Sequence, residues 1–72
     1  MADKIQDLDV VALLRDIPEE GLIKGQVGTV VDQLRESAYE VEFFDNNGKA
    51  YAMLGILEED LIMLHYSQAE AA

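Results

Sequence analysis

The residues able to do chemistry in this chain are few, and their spacing limits what each can do. His65, the single histidine, stands beside Tyr66 and could move a proton if a carboxylate and a pocket were placed against it. No partner is evident in the sequence, so the expected role is that of a surface or edge histidine. Asp45-Asn46-Asn47-Gly48 shares letters with the start of a calcium loop, but its glycine follows the Asp by three positions instead of five. No bidentate Glu closes the loop either, and a turn is the better reading. Glu58-Glu59-Asp60 and Glu19-Glu20 would hold a hard cation only if folding brought them together, and a solvated acidic face explains such runs more simply. Gly25 and Gly28 lack the Gly-Lys-Ser/Thr sequence and the following helix that a phosphate cradle needs. No catalytic, cofactor-binding or metal-binding set is therefore expected, and no cofactor.

The 72 residues suffice for one small domain, and a chain of that size buries only about 60% of the surface exposed when unfolded. Half the residues are apolar and 28% are charged, which is enough for a core. There is no cysteine, which excludes disulfides and thiolate zinc sites and fits a reducing cytoplasm. Fifteen acidic residues against five basic ones leave a formal net charge of −10. Lys4, Arg15, Lys24, Arg35 and Lys49 are scattered along the chain, whereas nucleic-acid binders concentrate cations to neutralise phosphates. The opening MADKIQDLD has no basic segment leading into an apolar one, and no stretch approaches the roughly 18 apolar residues of a membrane span. A cytoplasmic protein without a membrane partner is expected.

Five strands can be read along the chain. Leu8–Leu14 is short, apolar and β-branched at its centre; Pro18 and Gly21 then leave little length for a helix. Gln26–Asp32 is a second β-branched run, in which Gly28 marks a bulge, a bend or a close backbone approach. A polar connection is expected over residues 33–37. Ala38–Asp45 alternates most clearly, with Tyr39, Val41 and Phe43 on one face and Glu40 and Glu42 on the other. Asn47-Gly48 predicts a tight type I′ hairpin. Lys49–Leu57 is the partner strand, apolar on both faces. Glu58–Asp60 forms a 3₁₀ turn, and Leu61–Tyr66 the last strand. The prediction is an all-β domain, a small SH3-like, partly open five-stranded barrel. It occupies residues 8–66, with a frayed N-terminus at 1–7 and a flexible tail at 67–72. The competing arrangement is α+β, with helices over 3–15 and 58–70 around a three-stranded sheet.

The segments LDVVALL (8–14), DIPEEGLIKGQVGTVV (16–31), YEVEFFDNNGKAYAML (39–54) and EEDLIML (58–64) resemble a family of small bacterial proteins known as a domain of unknown function. That resemblance implies a short SH3-like barrel and no established activity. Lys24–Val31 is also similar to the glycine-containing strand of the KOW modules of translation and transcription, over eight residues and without their basic surface.

A one-sheet domain cannot bury both faces of a strand that is apolar on both sides. Phe44, Tyr51, Met53, Met63 and Tyr66 are therefore the candidate interface residues. The expected function is a non-catalytic acidic module that binds a protein, possessing a charge suited to a basic partner, as an antitoxin or immunity-type protein would. A KOW-like nucleic-acid or ribosome-associated domain and an accessory subunit of a larger enzyme are the alternatives, and self-association is the other way to cover the face.

Overall fold

A computed structural model describes residues 4–65 of the chain. Five strands, β1 (Val10–Leu13), β2 (Val27–Arg35), β3 (Ala38–Phe44), β4 (Ala50–Leu57) and β5 (Leu61–Met63), form one sheet in the order β4-β3-β2-β1-β5. Every pairing is antiparallel. Two 3₁₀ turns interrupt the connections, η1 (Pro18–Glu20) and η2 (Glu58–Asp60). The protein is all-β and the sheet is not closed, since β4 and β5 are its two edges. The α+β alternative is excluded over the described residues: 3₁₀ turns and strands occupy the segments it assigned to helices. No helix among the described residues is long and apolar enough to cross a membrane.

The alternation of β3 works as its sequence requires. Tyr39, Val41 and Phe43 are fully buried, while Glu40 and Glu42 stay on the other face. They meet Val11 and Leu13 of β1, Val30 of β2, Ile56 of β4 and Leu61 of β5 in a single core. Gly28 pairs with Phe43 across the ladder. A Cβ there would sit 2.7 Å from Val41 Cγ1, 2.9 Å from Phe43 Cδ1 and 3.0 Å from the Glu42 carbonyl oxygen. The glycine thus lets β3 side chains fold over the β2 backbone, which is the close approach its position in a strand suggested.

Several boundaries differ from those read in the sequence. Strand β1 begins at Val10, because Leu8 has φ 74° and lies in a turn in which the Gln6 N–H donates to Asp9 Oδ2 at 2.8 Å. The segment expected to fray supplies Ile5 to the core. Strand β2 continues to Arg35 through the segment read as a polar connection, leaving only Glu36 and Ser37 as the turn. Pairing with β3 outweighs the polar composition there, with register shifts between Val30 and Asp32 and between Gln33 and Arg35. The β3–β4 hairpin forms where Asn-Gly predicts it, but not as type I′. Only Gly48 has positive φ, 80°, and the Gly48 N–H donates to the Asp45 carbonyl at 3.0 Å. Asp45 Oδ1 accepts from the N–H groups of Asn47 at 2.8 Å and Lys49 at 3.0 Å, so a side-chain turn sets the loop and glycine closes it. The long β1–β2 connection is pinned by the Ile17–Leu22 bridge, which buries both residues, with Pro18 starting η1 and Gly21 ending it at φ 71°.

Candidate interaction surface

The core-facing side of β4 carries Ala52, Leu54 and Ile56, paired with Phe43, Val41 and Tyr39. Its other side carries Met53, Gly55 and Leu57, paired with Glu42, Glu40 and Ala38. Met53 is 55% exposed, Tyr51 46% and Phe44 41%, so each of these three candidate residues, in the strands flanking the β3–β4 hairpin, carries accessible surface. Tyr51 is partly engaged: its ring centroid is 6.4 Å from that of Phe43, and its hydroxyl accepts a hydrogen bond from Gln26 Nε2. Met63 is elsewhere. It pairs with Val11 in β5 and packs against the core, half-buried, at the opposite edge of the sheet. Tyr66 lies outside the described residues.

Exposed apolar residues not singled out from the sequence extend this surface. Leu34, at the second register shift of β2, reaches across to Gly55, where a Cβ would approach its Cδ1 to 2.8 Å. With Ala38 and Leu57 it lines an open cavity of about 420 Å³. A separate row crosses the sheet: Ile62 pairs with Ala12 and Ala12 with Val27, and Ile62 and Val27 are exposed. The signal for Leu34 was hidden because a bulge changes which face a residue occupies, and nothing in the local sequence marks the bulge.

The acidic segments converge on the other side of β4. Glu19 and Glu20 of η1 and Asp60 of η2 border a cavity of about 180 Å³ floored by Ile17, Leu54 and Ile56. Arg15 enters the same cavity and donates from Nε to Asp60 Oδ2 at 3.0 Å. This hydrogen bond and the Asp60 charge raise the Arg15 pKa further, so the guanidinium stays cationic. It is the only ion pair among the described residues, leaving Glu19 and Glu20 without a cation in contact. No group of three or more His, Asp or Glu among the described residues could hold a metal ion. Tyr39 donates its hydroxyl proton to Glu58 Oε1 at 3.2 Å, and burial, reinforced by the Glu58 charge and this hydrogen bond, pushes the phenol pKa up. His65 is exposed beyond the end of β5. The arrangement exposes apolar side chains, a strand edge and carboxylates.

No curated protein and no solved structure matches the chain. One family model matches residues 7–63, nearly the whole of the folded unit. The chain belongs to that family, described as Domain of unknown function (DUF4926).

Proposed function

We propose that this chain is a non-catalytic, SH3-like interaction module of the bacterial cytoplasm that binds a basic protein, in the manner of an antitoxin or immunity protein covering a cationic groove. The observation that carries this reading is the combination of a net charge of −10 with apolar side chains left exposed around β4. The charge accelerates encounter with a cationic surface, and burial of Met53, Phe44 and neighbouring side chains supplies affinity once contact is made. The cavity beside η1 has both properties in one place, an apolar floor and a carboxylate rim.

The test is to look in the neighbouring genes for a basic, growth-inhibiting protein and to pair it with the full chain. Co-expression should restore growth, and calorimetry on the two purified proteins should show binding that weakens as salt is raised. Failure to bind that protein, together with salt-sensitive binding of single- or double-stranded nucleic acid at ~0.1 M salt, would replace this reading with the KOW-like one.

A further inference from the structure

Resting on the interaction-module reading, we infer that the free edge of β4 is the docking element, and that its occupant is an extended segment of a partner protein in which cationic and apolar residues alternate. Strand edges are ordinarily guarded by charge, proline, bulges or short length, because their unpaired N–H and C=O groups recruit other strands. The β5 edge is guarded by its three-residue length. The β4 edge is not guarded: AYAMLGIL is eight residues long and contains neither charge nor proline. Its pairing with β3 is regular from Ala52 to Leu57, and the one register shift lies at the hairpin end. Alternate residues of an antiparallel strand turn their backbone groups away from the neighbouring strand. Among the described residues no hydrogen bond outside the β3 ladder engages the backbone of Ala50–Leu57.

The two flanks of this edge differ, and that difference specifies the partner. A strand added to β4 would place alternate side chains beside Met53 and Leu57, next to the Leu34 surface, where apolar residues fit. The intervening side chains would face the cavity where Glu19 and Glu20 stand beside the Arg15–Asp60 pair, so that a lysine or arginine would meet two carboxylates that have no cation in contact. A second copy of this chain is the wrong occupant, because edge-to-edge pairing would bring together two molecules of charge −10 without a cation for Glu19 or Glu20.

The full chain should be titrated, with backbone amide shifts and hydrogen exchange as readouts, against a short capped peptide of strictly alternating lysine and valine. A peptide of equal composition with the lysines and valines in separate blocks is the control. The alternating peptide should bind at least about tenfold more tightly and protect the outward amides of β4. The double variant Met53→Lys and Leu57→Lys alters exposed side chains only and should abolish that protection while leaving the core shifts unchanged. Glu19→Gln with Glu20→Gln should weaken binding and flatten its salt dependence. Equal binding of the two peptides, or protection at Val27, Phe44 and Ile62 instead, would overturn the edge assignment but leave the acidic-module reading intact. So would β4 amides already protected in the free chain, or a dimer dissociated by the lysine variants, since the edge is then occupied by this chain itself. If no cationic peptide binds and the basic neighbouring protein also fails to bind, the module reading falls with it.

Discussion

Replacing Gly28 with alanine tests whether β3 and β2 pack as closely as described. The added methyl would lie 2.7 Å and 2.9 Å from Val41 Cγ1 and Phe43 Cδ1, and 3.0 Å from a backbone oxygen of the paired strand. Val41 and Phe43 are fully buried, so neither can swing into solvent, and the oxygen is held by the ladder. Overpacking of a tight core costs about 1–3 kcal/mol, and three simultaneous contacts, one of them with backbone, place this case at about 2–3 kcal/mol. With a urea m-value of about 1 kcal/mol/M for so small a domain, the midpoint should fall by about 2–3 M. The melting temperature should fall by roughly 10–20 °C. Gly55→Ala is the matched control, also within a strand, but its methyl meets only the end of the Leu34 side chain, 2.8 Å away, at an exposed position. Removing a strand glycine there should leave stability unchanged or raise it by up to about 1 kcal/mol. Urea denaturation of both variants decides the matter. Equal small effects would refute the close packing of Val41 and Phe43 over Gly28. In the double variant Gly28→Ala with Val41→Ala, the two losses should sum to more than the measured loss, because removal of Val41 Cγ1 relieves the shortest contact.

Three other substitutions probe separate features. Tyr39→Phe removes the hydrogen bond to Glu58 and should cost about 1 kcal/mol at neutral pH. Because the folded-state pKa of Tyr39 is raised, its contribution is intact below about pH 10 and is lost as pH rises through the folded value, so the variant should show a shallower alkaline decline in denaturation midpoint. Asp45→Ala deletes the acceptor for two loop N–H groups and should lower stability by about 1–2 kcal/mol, while retention of wild-type amide exchange at Asn47 and Lys49 would show that the side-chain turn is not needed. Leu8→Asn should stabilise by about 0.5–1 kcal/mol, since φ 74° is unfavourable for leucine and its side chain is 78% exposed; a loss of thermal stability would contradict that backbone assignment.

The local chemistry of the chain was legible from its letters. Tyr39, Val41 and Phe43 alternate with glutamates, and a period of two on a strand sets which residues share a face wherever the ladder is regular. Pro18, Gly21 and Asn47-Gly48 mark reversals because they restrict or relax φ at single positions. Even so, the type of the β3–β4 turn was decided by the Asp45 side chain accepting two N–H groups, which an Asn-Gly pair alone does not reveal.

Charge, the hairpin and the inward face of β3 are properties of composition and short-range geometry, and the sequence alone determined them. Sheet order determined the rest. A strand apolar on both sides gives no sign of which side is covered, and only the pairing of β4 with β3 alone makes it an edge. Ile5, Ile17 and Leu22 sit in segments that look like connections and become core because the chain returns over the sheet. Leu34 reaches Gly55 because a bulge moves it to the outer face, and η1 and η2 border one cavity although some forty residues separate them in the chain. Each of these depends on contacts between residues far apart in sequence, whose geometry local propensity does not encode.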